Sequence, residues 1–114
     1  MGTAQWGVAE RVTVRGVDGF IRRSARELGV AIEDLSSRRK TPATVRAREI
    51  IAIVGVERFG VKVAELAVRL KKNPGSVSRW LVQAGERRQK ERDFKVDCDR
   101  LEAAVGRAGS AHRR

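Results

Sequence analysis

Residues 63–82 decide the fold; they read VAELAVRLKKNPGSVSRWLV. The first half has apolar residues at the i, i+3, i+4 and i+7 spacing of one helix face, namely Val63, Leu66, Ala67 and Leu70. A second helix is predicted after Asn73, a favoured N-cap, because Pro74 fits the first helical position, where its missing N–H costs nothing. Its inward-facing residues are predicted to be Val77, Trp80 and Leu81.

The spacing of these two short helices matches the helix-turn-helix unit. Ala67 stands at the position where the two helices approach each other and a larger side chain would push them apart. Lys71 stands where this turn usually has a glycine in the left-handed conformation. A lysine is tolerated there at a cost of about 1 kcal/mol. The segment therefore predicts a helix-turn-helix at residues 63–82 with a slightly altered turn.

The second helix has the residues expected of a helix that reads DNA. A helix N-terminus offers free N–H groups and a partial positive charge to a phosphate, and Gly75 after Asn73 lets a backbone approach closely. Side chains from its first two turns would meet base edges: Ser76, Ser78 and Arg79. Arg79 could pair with the O6 and N7 atoms of a guanine.

The turn supplies charge beside this helix. Lys71 and Lys72 are well placed for phosphates, and no acidic residue stands between Arg69 and Gln83. A plainer interpretation is that the segment forms only two packed amphipathic helices, which are common in all-α proteins.

The sequence before this segment predicts two more helices and a basic loop. A first helix fits residues 17–28, with Gly29 as its stop signal. Residues 36–40, SSRRK, form a polar and basic loop, and Thr41 followed by Pro42 then begins a helix over residues 43–58. That helix is apolar nearly all round, as a central core helix is. We therefore expect an all-α fold, a small helical bundle of four to six helices.

The composition of the chain excludes several classes of protein. It has 114 residues, with 25 Lys and Arg against 14 Asp and Glu, so its formal net charge is +11. A domain this basic typically binds a polyanion. No apolar run approaches the about 18 residues of a membrane span. The single cysteine, Cys98, fits a reducing cytoplasm, and with one histidine, His112, and no tyrosine we expect no metal, no cofactor and no catalysis.

The C-terminal third has a weaker pattern. Residues 86–92 are almost wholly charged and could extend the second helix or serve as a linker. Residues 93–105 predict a helix with one apolar stripe, formed by Phe94, Cys98, Leu101 and Val105. We expect this stripe to pack on the chain's own core, the alternative being the seam of a homodimer. The basic tail after Val105 is expected to be disordered, and the glycine-containing segment 1–16 to be flexible.

Residues 17–88 resemble the C-terminal helical domain of REP-associated tyrosine transposases. That domain is itself similar to the DNA-binding domain of the replication initiator DnaA, with its Trp-repressor-like helix-turn-helix. The resembling pieces are, in order, ARELGVAIEDLSSRR, VRAREIIAIVGVERFG and VKVAELAVRLKKNPGSVSRWLVQAGERR. The resemblance implies one DNA-binding domain at residues 17–88, with residues 89–114 as a C-terminal helix and tail.

The resemblance also assigns roles outside the helix-turn-helix. It implies that Arg38 and Arg39, with Lys40 beside them, enter the minor groove, whose potential attracts arginine. Arg46 and Arg48, at the start of the long helix, would steady the backbone contact. The initiator's Arg-Asp-His-Thr-Thr-Val run is replaced here by residues 72–77, KNPGSV, so its sequence specificity does not carry over.

The expected function is sequence-specific binding of double-stranded DNA, in transposition or in transcriptional control. The catalytic domain of the transposases is missing, so the chain is either a stand-alone relative or part of a longer protein. The alternatives are RNA binding and a helical protein-interaction adaptor. RNA modules usually stack bases on aromatic residues, and this chain has only two Trp and three Phe.

Overall fold

The computed structural model describes residues 14–112, and the side chains of residues 16–106. Within that range the chain forms six helices and no strand, so the predicted all-α fold is confirmed. The helices are α1 (Val14–Leu28), α2 (Ile32–Leu35), α3 (Pro42–Phe59), α4 (Val63–Arg69), α5 (Pro74–Lys90) and α6 (Arg92–His112). Most of the segment predicted to be flexible, residues 1–13, lies outside the described residues, and residues 14–16 already belong to α1.

The centre of the bundle is α3, as predicted. It contacts each of the other five helices, and every residue from 47 to 55 is buried. Its start follows the predicted signal, because the Thr41 hydroxyl accepts a hydrogen bond from the Thr44 N–H at 3.3 Å and Pro42 begins the helix. Gly60, with φ 69°, ends it. An apolar helix of this kind gives its neighbours a surface on every side.

Helix α1 packs on α3 where α3 has no side chain. Phe20 is buried on α1, and a Cβ atom placed on Gly55 would lie only 2.8 Å from its Cε2 atom. The Phe20 ring also lies 5.8 Å, centroid to centroid, from the ring of Phe59, tilted by 50°. Gly55 therefore allows α1 to approach the central helix closely.

Lys71 adopts the left-handed conformation that the sequence predicts for the turn between α4 and α5, with φ 58°. The Lys72 N–H donates to the Ala67 carbonyl at 2.9 Å, and the Lys71 N–H donates to the Val68 carbonyl at 3.2 Å. This pair of bonds is the Schellman arrangement that closes helices, usually with glycine in the place that Lys71 occupies. The turn therefore brings α5 back against α4 with its backbone groups satisfied.

Helix α5 is longer than the predicted second helix of the pair. It runs from Pro74 to Lys90, so residues 86–90 of the charged stretch continue the helix, while Glu91 separates it from α6. Val77 and Ala84 are buried along it, while Trp80 and Leu81 are partly buried against the core.

None of the helices in the described part of the chain combines the length and the apolar character that a membrane span requires.

Helix α6 carries the predicted stripe and buries it in the chain's own core. Phe94, Cys98 and Leu101 are buried, and Val105 packs against them. The expected packing of this stripe on the chain's own core is therefore confirmed: the side chains are covered by α1, α3 and α5, so the stripe is not an exposed seam for a homodimer. The predicted disorder after Val105 is also wrong as far as His112, where the helix ends, and residues 113–114 lie outside the described part of the chain.

Candidate nucleic-acid interface

The basic loop between α2 and α3 is ordered by its own serine. The Ser37 hydroxyl donates a hydrogen bond to the Asp34 carbonyl at 2.8 Å and accepts one from the Arg39 N–H at 3.0 Å. Arg38, Arg39 and Lys40 are all exposed, as the resemblance requires. Arg39 also pairs with Asp34 at 3.3 Å, but exposed pairs of this kind contribute only about 0–1 kcal/mol and open readily.

Arg48 binds backbone carbonyls of this loop and of α2. Its predicted role on the DNA backbone is therefore wrong. The residue is 4% exposed, and its guanidinium donates to the carbonyls of Leu35 at 3.1 Å, Asp34 at 3.0 Å and Ser37 at 2.8 Å. Two of these carbonyls belong to the last residues of α2, and that of Asp34 also accepts a hydrogen bond from the Ser37 N–H at 3.2 Å. Burial lowers the pKa of Arg48, and Asp34 partly opposes that change.

Lys72 brings the loop and the turn together. Its Nζ atom donates to the Ser37 carbonyl at 2.6 Å, across 35 residues of chain. Desolvation lowers the pKa of Lys72, and the nearby charges of Arg48, Lys40 and Arg38 lower it further. These charges act on Lys72 only because loop and turn are neighbours, so the structure joins two basic segments that the sequence treats separately.

The N-terminal end of α5 begins beside this junction. The Asn73 side chain accepts a hydrogen bond from the Ser76 N–H at 2.8 Å and so caps the helix, as predicted. A Cβ atom on Gly75 would lie 3.2 Å from the Asn73 Oδ1 atom, which gives this glycine a second role besides the predicted close approach of a backbone. The cap leaves the Asn73 amide nitrogen free to donate to a ligand.

The predicted reading residues face solvent. Ser78 and Arg79 are exposed, and Ser76 is partly exposed. Arg79 has no carboxylate within 4.0 Å among the described residues, and the same holds for Arg38, Lys40 and Lys71. We call the six exposed or partly exposed cations around the loop, the turn and the start of α5 the basic surface: Arg38, Arg39, Lys40, Lys71, Lys72 and Arg79.

Other arginines hold the helices together. Arg46 pairs with Asp97 on α6 at 2.6 Å, and its guanidinium lies 5.5 Å from the centre of the Phe94 ring. Residues two apart on a helix point to nearly opposite sides, so Arg46 faces α6 while Arg48 faces the basic loop. The two arginines predicted to steady the DNA backbone contact therefore lie on different sides of α3. Arg87 and Arg88, on α5, pair with Glu49 and Glu57 of α3.

Sequence reasoning missed two residues at the interface, Ser37 and Trp80. The Ser37 carbonyl receives hydrogen bonds from both Lys72 and Arg48, and the Arg48 guanidinium lies 6.0 Å from the centre of the Trp80 ring. An amino-acid sequence does not show which backbone carbonyl will accept a hydrogen bond from a distant side chain. The serine itself gave a weak local signal, because it stands three residues after Asp34 and can bond back to the helix end.

Comparison of the chain with models of protein families, with curated proteins and with solved structures found no match.

Proposed function

We propose that this protein binds double-stranded DNA, with the N-terminal end of α5 in the major groove and the basic loop against the neighbouring groove or backbone. The single observation that carries this proposal is that the loop and the exposed start of α5 lie side by side, joined through Lys72 and Ser37. A DNA duplex presents phosphates and base edges close together, so two adjacent segments of a protein can contact both.

The charge distribution supports a polyanionic partner. Five of the six cations of the basic surface have no carboxylate partner within 4.0 Å among the described residues, since only Arg39 has one, and the chain has a net charge of +11. A solvated cationic face costs little folding free energy by itself. Several like charges placed together raise the local concentration of a polyanion and speed its association. No acidic residue interrupts the chain from Arg69 to Gln83.

The shape of the site supports a helix that reads bases. Asn73 and Pro74 fix where α5 begins, and Ser78 and Arg79 project from its first two turns into solvent. An arginine that pairs with the O6 and N7 atoms of guanine contributes about 1–3 kcal/mol of discrimination. This proposal includes the relationship to transposase DNA-recognition domains that the resemblance implies, in either transposition or transcriptional control.

A titration with a random duplex pool at two salt concentrations, followed by selection of bound sequences, tests the proposal. The amine of Lys72 is bound to Ser37, so the other five cations of the basic surface are the ones that meet phosphates. Five such contacts predict that log K falls with log salt with a slope of about −4 to −5. Enrichment of a motif would demonstrate base reading. Binding that ignores salt, or tighter binding of a structured RNA hairpin than of any duplex, would contradict the proposal.

A further inference from the structure

The Ser37 carbonyl accepts hydrogen bonds from two cations that belong to different parts of the chain. Lys72 Nζ reaches it from the turn after α4 at 2.6 Å, and Arg48 Nη2 reaches it from α3 at 2.8 Å. Hydrogen bonds from charged donors are shorter and stronger than neutral ones. One oxygen atom therefore joins the basic loop, the central helix and the turn.

Lys72 precedes the N-cap of α5 directly, so the position of its amine and the position of the helix end are coupled. The residue is only partly exposed, and its amine is directed to the loop carbonyl rather than extended into solvent. The adjacent Lys71 is exposed and has no carboxylate or carbonyl partner among the described residues. Two neighbouring lysines of the same turn thus have different surroundings.

We infer that Lys72 is a positioning residue: it fixes the basic loop beside the start of α5, so that both meet one duplex as a preformed pair. Lys71, not Lys72, is the lysine of this turn that meets a phosphate. This inference rests on the proposed function. Fixing two contact segments before binding removes the entropy cost of ordering them on the ligand.

The position of Lys72 also explains how the loop tolerates its own charge. The charges of Arg48, Lys40 and Arg38 lie close enough to Lys72 to lower its pKa. Four like charges repel one another, and without an acceptor they would drive the loop away from the turn. The Ser37 carbonyl is the acceptor that holds two of the four cations, Lys72 and the buried Arg48, beside the loop.

The test compares Lys72→Met with the matched control Lys71→Met, both in the full chain and both checked for folding by thermal unfolding. The first readout needs no DNA: it is the hydrogen exchange of the Arg39 amide, which bonds to the Ser37 hydroxyl. We expect exchange to be about tenfold faster in Lys72→Met and unchanged in Lys71→Met, since only Lys72 holds the loop.

The second readout is duplex affinity in a double-mutant cycle. We expect Lys72→Met to raise Kd about tenfold in the wild-type protein but to have little effect once Arg38→Ala and Arg39→Ala have removed the loop contacts. Lys71→Met should give the same loss in both backgrounds and make the salt slope shallower by about 0.9. Lys72→Arg, which keeps a donor, should restore most of the affinity.

The outcomes separate this inference from the proposed function. A wild-type protein that binds no duplex overturns the proposed function, while the exchange experiment still reports on the Lys72 bond. A wild-type protein that binds duplex, with a Lys72→Met loss that adds to the loop substitutions, overturns the positioning role alone. Unchanged Arg39 exchange in Lys72→Met overturns it as well.

Discussion

The Nε atom of Arg87, on α5, lies 2.9 Å from the Oε1 atom of Glu49, on α3. The Glu49 side chain is 1% exposed, whereas that of Arg87 is 40% exposed, so the pair has a buried end and a solvated end. Oε1 accepts no hydrogen bond from the described residues, so the contact is ionic without an aligned N–H. Burial raises the pKa of Glu49, Arg87 opposes this, and Glu91 adds to it.

We expect Glu49→Gln to raise the free energy of unfolding at neutral pH. A raised pKa means that the folded protein disfavours the ionised carboxylate, and glutamine has the shape of the neutral acid without its charge. In the wild-type protein, the part of the unfolding free energy that depends on a protonated Glu49 is fully present below pH 4.5, the ordinary pKa of this carboxyl group. It is lost as pH rises through the higher pKa of Glu49 in the folded protein. The two proteins should therefore converge as pH falls towards 4.5, as measured by urea unfolding.

Glu86→Gln is the control for this pH dependence, because Glu86 lies exposed on the same helix as Arg87. Its difference from wild type should be within about 0.5 kcal/mol. A Glu49→Gln difference that is constant from pH 7 to pH 4.5 would show that the buried carboxylate is not the group responsible.

Two glycine substitutions in helices should have opposite effects on stability. Gly55→Ala places a Cβ atom 2.8 Å from the buried Phe20 ring, and overpacking of this kind costs about 1–3 kcal/mol. Gly85→Ala meets no atom within 4 Å and should gain about 0.5–1 kcal/mol, since alanine favours helix over glycine. Thermal unfolding of both variants is the measurement, and equal losses would contradict the close packing of α1 on α3.

Lys71→Gly should stabilise the protein by about 0.5–1 kcal/mol. The residue has φ 58°, a left-handed conformation that glycine adopts without the steric cost that a side chain brings. Lys62→Gly is the matched control, because this lysine has φ −78° and no strain to relieve. Midpoints of chemical unfolding measure both, and a loss of stability in Lys71→Gly would show that the turn differs from the one described.

Arg79→Ala should relax the DNA motif that selection enriches and weaken binding to the preferred duplex by about 1–3 kcal/mol. Arg79 is exposed in the first two turns of α5, where a recognition helix meets bases. Arg100→Ala, an exposed arginine of α6, provides the control and should leave the motif intact. If Arg79→Ala changes neither affinity nor motif, α5 does not read DNA through this residue.

Arg38→Ala combined with Arg39→Ala should reduce binding chiefly at duplexes with A·T-rich flanks. Narrow minor grooves of such sequences attract arginine by their negative potential, and both side chains are exposed on the loop beside α5. Affinities for two duplexes that differ only in the flanks measure the effect. An equal loss on both duplexes would assign these arginines to phosphates, and no loss would remove the loop from the interface.

The parts of the fold that were predictable from the sequence are those with local causes. Thr41 with Pro42, and Asn73 with Pro74, set the two helix starts through contacts three residues away. The left-handed Lys71 was predictable too, because the turn requires that conformation whatever residue stands there. The stripe from Phe94 to Leu101 indicated burial through its helical spacing alone.

The candidate interface was predictable only as a set of basic residues, not as an arrangement. Arg48 and Lys72 have the same charge as Arg38 and Lys71, and nothing in the sequence shows that the first two bind backbone carbonyls. That distinction depends on which residues the fold brings together across 11 and 35 positions of chain. The pairing of Arg46 with Asp97 was not predictable for the same reason, since Asp97 lies on a helix that packs on α3 only in the folded protein.

Helix α5 is unbroken, so a small rotation at one end displaces the other end by a larger distance. Its 17 residues span about 25 Å, with the exposed cap at one end and the pair between Arg87 and Glu49 near the other. A tilt of about 5° at the far end would displace the tip by about 2 Å, more than a base contact tolerates. For the DNA binding proposed above, substitutions at the buried Ala84 or Phe94 should therefore alter recognition although neither side chain reaches the surface.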